Sequence, residues 1–444
     1  MPQEDIPQPP AETRKKPRYF YGWNIVAASF MSHLAYAEHV SSVLGLFFKP
    51  FTAEFGWSRT AMSAVQSIAR VLEALAAPMV GPLVDRYGPR VLMPIGGIMV
   101  GLTMLAITQM TTLWHFYLLR GGLTAVGFTL IGGMVTTVAV NNWFIRKRGR
   151  ALAFAGVGTN LGNVALVPII VWLIANKGWR SVFVLFAVLT WVVVVIPSAI
   201  LMRRRPEDMG LHPDGVDPST AKVANPPEGK QSSPSRAAAS TREPVWSRKE
   251  VLMTSAFWML VGASAVDNLA FQGINISLAP YIQDLGYQDT MMAAVITFRA
   301  ALMAISLPVM GFIAEYANQV RVRVFPFVLL ALGSFLFLLA GKPTFLWLAV
   351  GVYGLGLTAM GIVQEVLWAN YFGRLSLGMV RSTAFLIAFG FGAAGPIFMN
   401  AVFDILGSYR PAFILFIFLF IIAGFLMAMA RPPKARRYAE AKSL

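Results

Sequence analysis

Seven ionisable side chains stand inside long apolar stretches of this sequence: Arg70, Arg120 and Arg299, and Glu38, Glu73, Asp267 and Glu365, with His39 beside the first acid. A guanidinium presents a planar pair of donors that matches a carboxylate, so the three arginines are candidates for gripping an organic anion. Arg70 has Glu73 three residues on, within reach of direct pairing on a helix. Arg299 has no acid within a turn on its own stretch and is the first choice. Carboxyl and imidazole groups withdrawn from water can titrate near neutral pH. Glu38, His39, Asp267 and Glu365 are therefore the proton-coupling candidates, and the residues alone do not choose among them.

Neutral polar residues recur at helical spacing in three places: Ser29, Ser32, Tyr36 and His39; Gly156, Asn160 and Asn163; and Ser264, Asn268, Gln272 and Asn275. Such stripes look into a watery cavity or bond neighbouring helices. The set expected to contact a substrate is Arg299, Arg70, Tyr36, His39, Asn160, Asn163, Asn268, Gln272 and Asn275. The four histidines, His33, His39, His115 and His212, have no metal-ligand spacing, and no nucleophile–base pair or phosphate-binding loop is visible. No enzyme activity, metal or cofactor is expected.

These residues need elements that hold them in lipid. The chain is 56% hydrophobic and 13% charged over 444 residues, with a mean hydropathy of +0.61, more apolar surface than a soluble core hides. A bilayer crossing takes about 20 helical residues. The runs are too long and too rarely alternating for barrel strands, which leaves an all-α membrane protein. Twelve helices are expected, near 20–48, 58–84, 91–110, 113–144, 151–176 and 179–202, then 253–284, 291–316, 324–340, 344–372, 379–404 and 411–430.

Charge gives an independent check, because Lys and Arg accumulate in cytoplasmic loops. An even number of crossings puts both termini on one side. The opposite loops hold only Lys49, Arg59, Lys177, Arg180, Lys342 and Arg410, so most of the 37 basic residues lie with the termini, which are expected to be cytoplasmic. The net charge of +16 then records topology and attraction to anionic lipid rather than nucleic-acid binding. The polar first 18 residues lead to no cleavage site, so no cleaved signal peptide is expected. With no cysteine, disulfide and thiol chemistry are excluded.

The chain divides as a tail 1–19, a six-helix bundle 20–202, a Pro- and Ser-rich linker 203–250, a second bundle 251–430 and a tail 431–444. The two bundles match at a nearly constant offset: Pro50 with Pro280, Gly56 with Gly286, Thr60 with Thr290, Pro78 with Pro308, Gly81 with Gly311 and Arg180 with Arg410. Two repeats of six helices about an axis along the membrane normal are a carrier architecture, with the site at their interface.

Between the second and third helices, Gly81-Pro82-Leu83-Val84-Asp85-Arg86-Tyr87-Gly88-Pro89-Arg90 resembles the cytoplasmic loop signature of the major facilitator superfamily. Gly81, Asp85, Arg86, Gly88 and Arg90 are the expected conformational latch, whose charges pair in one state and part in another. Tyr21-Gly22-Trp23, the stretch from Phe47 through Pro50 to Phe55-Gly56-Trp57-Ser58-Arg59, and Trp143-Phe144 with Arg146 to Arg150 are similar to the oxalate/formate antiporter and monocarboxylate porter branch. The run from Arg205 to Gly215 is similar to it as well. Arg120 and the following Gly121 to Gly127 weakly resemble a fourth-helix motif linked to proton transfer, and small residues there also serve close packing.

The resemblance implies a multi-pass carrier, monomeric, in a bacterial inner membrane, moving a small organic anion by proton symport or by exchange for a counter-anion. One departure stands out. The branch places an anion-binding arginine four residues before the glycine matching Gly311, where this chain has Leu307. Arg299 lies two turns earlier, roughly 80° around the helix and about 12 Å along it. Dicarboxylate carriers of the branch can add a lysine in the eleventh helix, and none stands between Met379 and Asp404, which points to a monocarboxylate. Drug or metabolite efflux, and a sensor that binds without transporting, remain alternatives. The absence of a Gly-Pro pair from Gly158-Thr159-Asn160-Leu161-Gly162-Asn163 counts against efflux.

Overall fold

A computed structural model describes residues 19–145, 147–215, 242–244, 246–316, 319–372, 377–433 and 438–440. Within some helices only the backbone is described. The side chains of Asp85 and Glu365 lie outside the described residues, and Gly81 is described in backbone alone.

Twelve helical crossings are present among the described residues. In the first half they are Gly22–Tyr36 with its continuation through Ala37–His39 and Ser41–Gly45, then Arg59–Tyr87, Pro89–Ile107, the segmented stretch from Leu113 to Trp143, Arg148–Lys177, and Trp179 to Leu201. The second half has Ser255–Asp284, Asp289–Tyr316, Gln319–Leu338, Pro343–Phe372, Leu377–Leu406 and Arg410–Met429. Seven helices are long and apolar enough to cross a membrane by length and composition alone. The outward faces carry exposed Leu75, Met79, Trp172, Ile305, Phe418 and Phe425, as lipid contact requires.

The repeat is visible in the backbone. Gly56 and Gly286 both turn the chain with positive φ, 68° and 83°, a region that only glycine enters without strain. Arg90 Nε donates to the Ala199 carbonyl, tying the third crossing to the sixth. Arg323 Nη1 donates to the Ala430 carbonyl, tying the ninth to the twelfth.

Hydrophobic attraction between helices vanishes in lipid, so close approach through small residues holds each half together. A Cβ on Gly158 would collide with the Phe30 carbonyl oxygen, and one on Gly162 would lie 2.5 Å from that of Leu34, which seats the fifth crossing on the first. In the second half a Cβ on Gly395 would collide with the Leu269 carbonyl oxygen, seating the eleventh on the seventh.

Three details differ from expectation. The first crossing is not continuous: after a 3-10 turn over Ala37–His39, Val40 is extended at φ −66° and ψ 140°. The fourth is interrupted twice, by a π-helical stretch over Tyr117–Leu123 and by extended Gly132. The expected linker does not begin as open chain. Trp143 Nε1 and Asn142 Nδ2 donate to the carbonyls of Arg203 and Arg204, and Asp214 accepts from the Ile145 and Lys147 amides. Free helix-end carbonyls and amides need such partners, and composition alone did not reveal them.

Candidate functional site

The break in the first crossing and the π-helical stretch of the fourth serve one polar cluster. The π-helical stretch carries Arg120, and the broken end of the first crossing presents the Glu38 carbonyl and the His39 ring to it. Irregular backbone at membrane depth persists only where its polar groups are satisfied. Here Arg120 Nη2 donates to the Glu38 carbonyl at 3.3 Å and Nη1 donates to His39 Nδ1 at 2.5 Å.

The other nitrogen of His39, Nε2, bonds Glu73 Oε1. Glu73 Oε2 accepts from Arg70 Nη1 at 2.9 Å, and the same nitrogen reaches the Tyr36 hydroxyl at 3.5 Å. Phe128 stacks on the His39 ring at 4.4 Å between centroids, and Tyr36 meets it edge-on at 5.5 Å. His39 and Arg120 are buried. The Glu38 carboxyl points elsewhere, its Oε1 accepting from Thr190 Oγ1 at 2.7 Å while Oε2 has no partner.

Of the three internal guanidinium groups, Arg70 is thus paired with a carboxylate, whereas Arg120 is held by an imidazole and a carbonyl. Arg299, in the eighth crossing, differs from both. It is buried, its methylene stem packs against Gly354, no carboxylate lies within ion-pairing distance among the described residues, and its Nη1 has no hydrogen-bond partner. The Tyr353 hydroxyl of the tenth crossing and Asp267 Oδ1 of the seventh are also buried without partners. Tyr353 lies within electrostatic range of both Arg299 and Asp267. A buried polar atom without a partner costs roughly 1–3 kcal/mol, so these three groups retain unused hydrogen-bonding capacity.

The polar stripes are partly consumed by structure. Ser32 Oγ donates to the Ile131 carbonyl, Ser264 Oγ to that of Leu260, and Asn268 Nδ2 to that of Ser264. Gln272 accepts from Ser41 across the two halves at 3.2 Å. Asn163 and Asn275 keep an unpartnered Oδ1 each, as Ser29 keeps its hydroxyl. Asn160 is half-buried on the same face as Asn163. In the expected latch, Arg90 holds Ala199, Gly88 makes the turn at φ 75°, and Arg86 lies over Tyr87.

One end of the interface between the halves is closed by a set of contacts that the sequence did not single out. Arg59 forms a two-pronged ion pair with Asp284, donates to the Tyr409 hydroxyl at 3.0 Å, and lies 3.9 Å over the Phe403 ring. Beside it, the Thr60 amide and hydroxyl both reach Asp404 Oδ2, at 2.8 and 2.6 Å. The signal in the sequence was faint: Arg59 is one of the few basic residues on the side opposite the termini.

The profile of the Major Facilitator Superfamily matches residues 25–376. Monocarboxylate transporter 13 of Bos taurus is 31% identical over 171 residues, covering 38% of this chain and 39% of that protein. The chain thus matches about two-fifths of that relative's length. Monocarboxylate transporter 2 of Homo sapiens is 24% identical over 404 residues, covering 88% of this chain and 81% of that protein. Among solved structures, a bacterial homolog of the human lysosomal transporter Spinster, in an inward-facing and occupied conformation, superposes with a TM-score of 0.69 at 15% identity. That match covers 93% of this chain and 97% of the other, and it speaks to the fold.

Proposed function

The chain belongs to the Major Facilitator Superfamily, and from that premise we propose that it carries a small monocarboxylate across the membrane by alternating access between its two halves. The observation that carries this reading is Arg299, a buried guanidinium with an unpartnered Nη1 and no carboxylate beside it among the described residues. A permanent positive charge out of water demands a counter-charge, and a carboxylate offers one with matching two-pronged geometry. In this reading the unpartnered Tyr353 hydroxyl adds a neutral donor, and Asp267, within electrostatic range of Tyr353, exchanges the proton. The similarity to monocarboxylate transporters over most of the chain favours the same substrate class.

In the expected orientation, with both termini in the cytoplasm, the end closed by Arg59 faces outwards, and in this reading the carrier loads or releases its substrate on the cytoplasmic side. Binding then biases rocking through contacts that differ between the two states. Uptake into proteoliposomes tests the proposal. Labelled lactate, pyruvate or formate accumulates under an inward proton gradient, or exchanges with the same acid loaded inside. Failure of all three under both regimes removes the substrate class.

A further inference from the structure

The closed end of the interface holds a cavity of about 220 Å³ that the Arg59 contacts do not fill. Gln283 in its wall stands next to the Asp284 that Arg59 grips, so both features lie at the same end of the molecule. The first half contributes Leu46, Lys49 from the short helix Phe48–Phe55, and Val171 and Ile174 near the end of the fifth crossing. The second half contributes Gln283 at the end of the seventh crossing, and Asp289 and Met292 at the start of the eighth. A wall drawn from both halves comes apart when that end opens, so an occupant favours the closed arrangement.

The wall is amphipathic. Leu46 and Met292 are buried and Val171 and Ile174 half-buried, whereas Lys49 and Asp289 are exposed. Lys49 has no hydrogen bond or ion pair among the described residues. Asp289 Oδ1 accepts from Gln283 Nε2 at 2.8 Å, which leaves Oδ2 for another donor. A cation from one half and a carboxylate from the other thus flank one apolar hollow.

The surroundings identify what fits. Trp172, next to Val171, is exposed on the lipid-facing side of the fifth crossing, and tryptophan settles where acyl chains meet headgroups. The cavity therefore lies beside the bilayer at headgroup depth. A phosphate followed by a primary ammonium matches Lys49 and Asp289 in charge, and an acyl chain matches the apolar wall.

We propose that this cavity binds a phospholipid of the ethanolamine type, which bridges the two halves and steadies the closed end. Its phosphate meets Lys49, its ammonium donates to Asp289 Oδ2, and the upper part of one chain lies against Val171, Ile174 and Met292. A glycerol headgroup brings no cation for Asp289, and its negative charge faces that carboxylate. A choline headgroup brings the charge without an N–H to donate. The site goes beyond the carrier reading and does not depend on which substrate is moved.

The test uses the purified full chain, stripped of lipid in detergent, with short-chain phosphatidylethanolamine, phosphatidylcholine and phosphatidylglycerol as probes and bound lipid counted by native mass spectrometry. One exposed charge contact is worth up to about fivefold in Kd, so the ethanolamine lipid should bind about fivefold tighter than the glycerol lipid, with the choline lipid between. Asp289→Asn should erase that preference by weakening the ethanolamine lipid. Lys49→Gln should weaken ethanolamine and glycerol lipids alike. Both side chains are exposed, and should either variant fail to fold, the other decides.

Equal affinity of the native chain for all three lipids overturns the proposal, as does a preference that survives Asp289→Asn or lipid binding unmoved by Lys49→Gln. Glycerophosphoethanolamine, the headgroup without chains, should not displace the lipid at equal concentration; displacement would assign the cavity to a soluble zwitterion instead. A thiol placed by Ser41→Cys, at the contact with Gln272 across the halves, reads the bridging role. An impermeant maleimide should label it about fivefold more slowly in vesicles containing phosphatidylethanolamine than in phosphatidylcholine alone, and equal rates overturn that role.

Discussion

Replacing Arg59 with alanine removes the contacts that close one end of the interface and should shift the carrier towards the opposite opening. Arg59 and Asp284 expose 20% and 32% of their side chains, so their pair is partly screened and worth no more than about 1 kcal/mol. The hydrogen bond to Tyr409 adds a charge-assisted contact, and the Phe403 face at 3.9 Å contributes about 0.5–1 kcal/mol. Together the loss is about 2 kcal/mol, which changes the ratio of closed to open states about thirtyfold. The chain has no cysteine, so a unique thiol can be introduced by Ser41→Cys, at a position whose hydroxyl bridges to Gln272 across the halves. In right-side-out vesicles, an impermeant maleimide should label that thiol about thirtyfold faster when Arg59→Ala is combined with Ser41→Cys than in Ser41→Cys alone. A change of less than about twofold would mean that Arg59 does not belong to a state-specific closure.

Gly162→Val should lower the melting temperature and the yield of monodisperse protein, because its Cβ would sit 2.5 Å from the Leu34 carbonyl oxygen and 2.6 Å from the Ala37 Cβ. Overpacking of this kind costs about 1–3 kcal/mol, while Gly149→Val, with open space around its Cβ, should melt like the native chain. Glu54, in the segment after the first crossing, accepts from Arg180 and from Trp179 Nε1, each at 2.6 Å, and these donors hold its carboxyl below the ordinary range. A depressed folded pKa stabilises above the unfolded value of 4.5 and fades as pH falls through the folded one. Glu54→Gln should therefore lower the melting temperature slightly at neutral pH, where the charged carboxyl contributes, and leave it nearly unmoved at the acid end, so that the acid limb flattens.

Fold and topology were legible because lipid leaves few choices: a long apolar run is a helix, and its length counts the crossings. The repeat was legible because Gly56 and Gly286 must both take positive φ, a demand that survives divergence. The site was only partly so. Arg70 with Glu73 could be foreseen from spacing, and Arg299 from its lack of an acid on its own helix. The contact of Arg120 with His39 joins positions 81 apart through a break at Val40 that no glycine or proline announces. Glu73 therefore read as a simple partner for Arg70 rather than as a bridge to His39. That Tyr353 comes within electrostatic range of Arg299 depends on how the tenth crossing packs on the eighth through Gly354, a three-dimensional fact without a linear trace.

The proposed anion recognition rests most directly on Arg299, and the measurement that tests it is the Kd of the purified chain for lactate and pyruvate in Arg299→Ala and Arg299→Lys, with Arg70→Ala beside them. Losing a buried two-pronged carboxylate contact costs about 3 kcal/mol. Arg299→Ala should therefore weaken binding by more than about a hundredfold, with Arg299→Lys recovering part of it through a single donor. An Arg299→Ala protein that folds and binds both acids as tightly as the native chain would contradict the assignment.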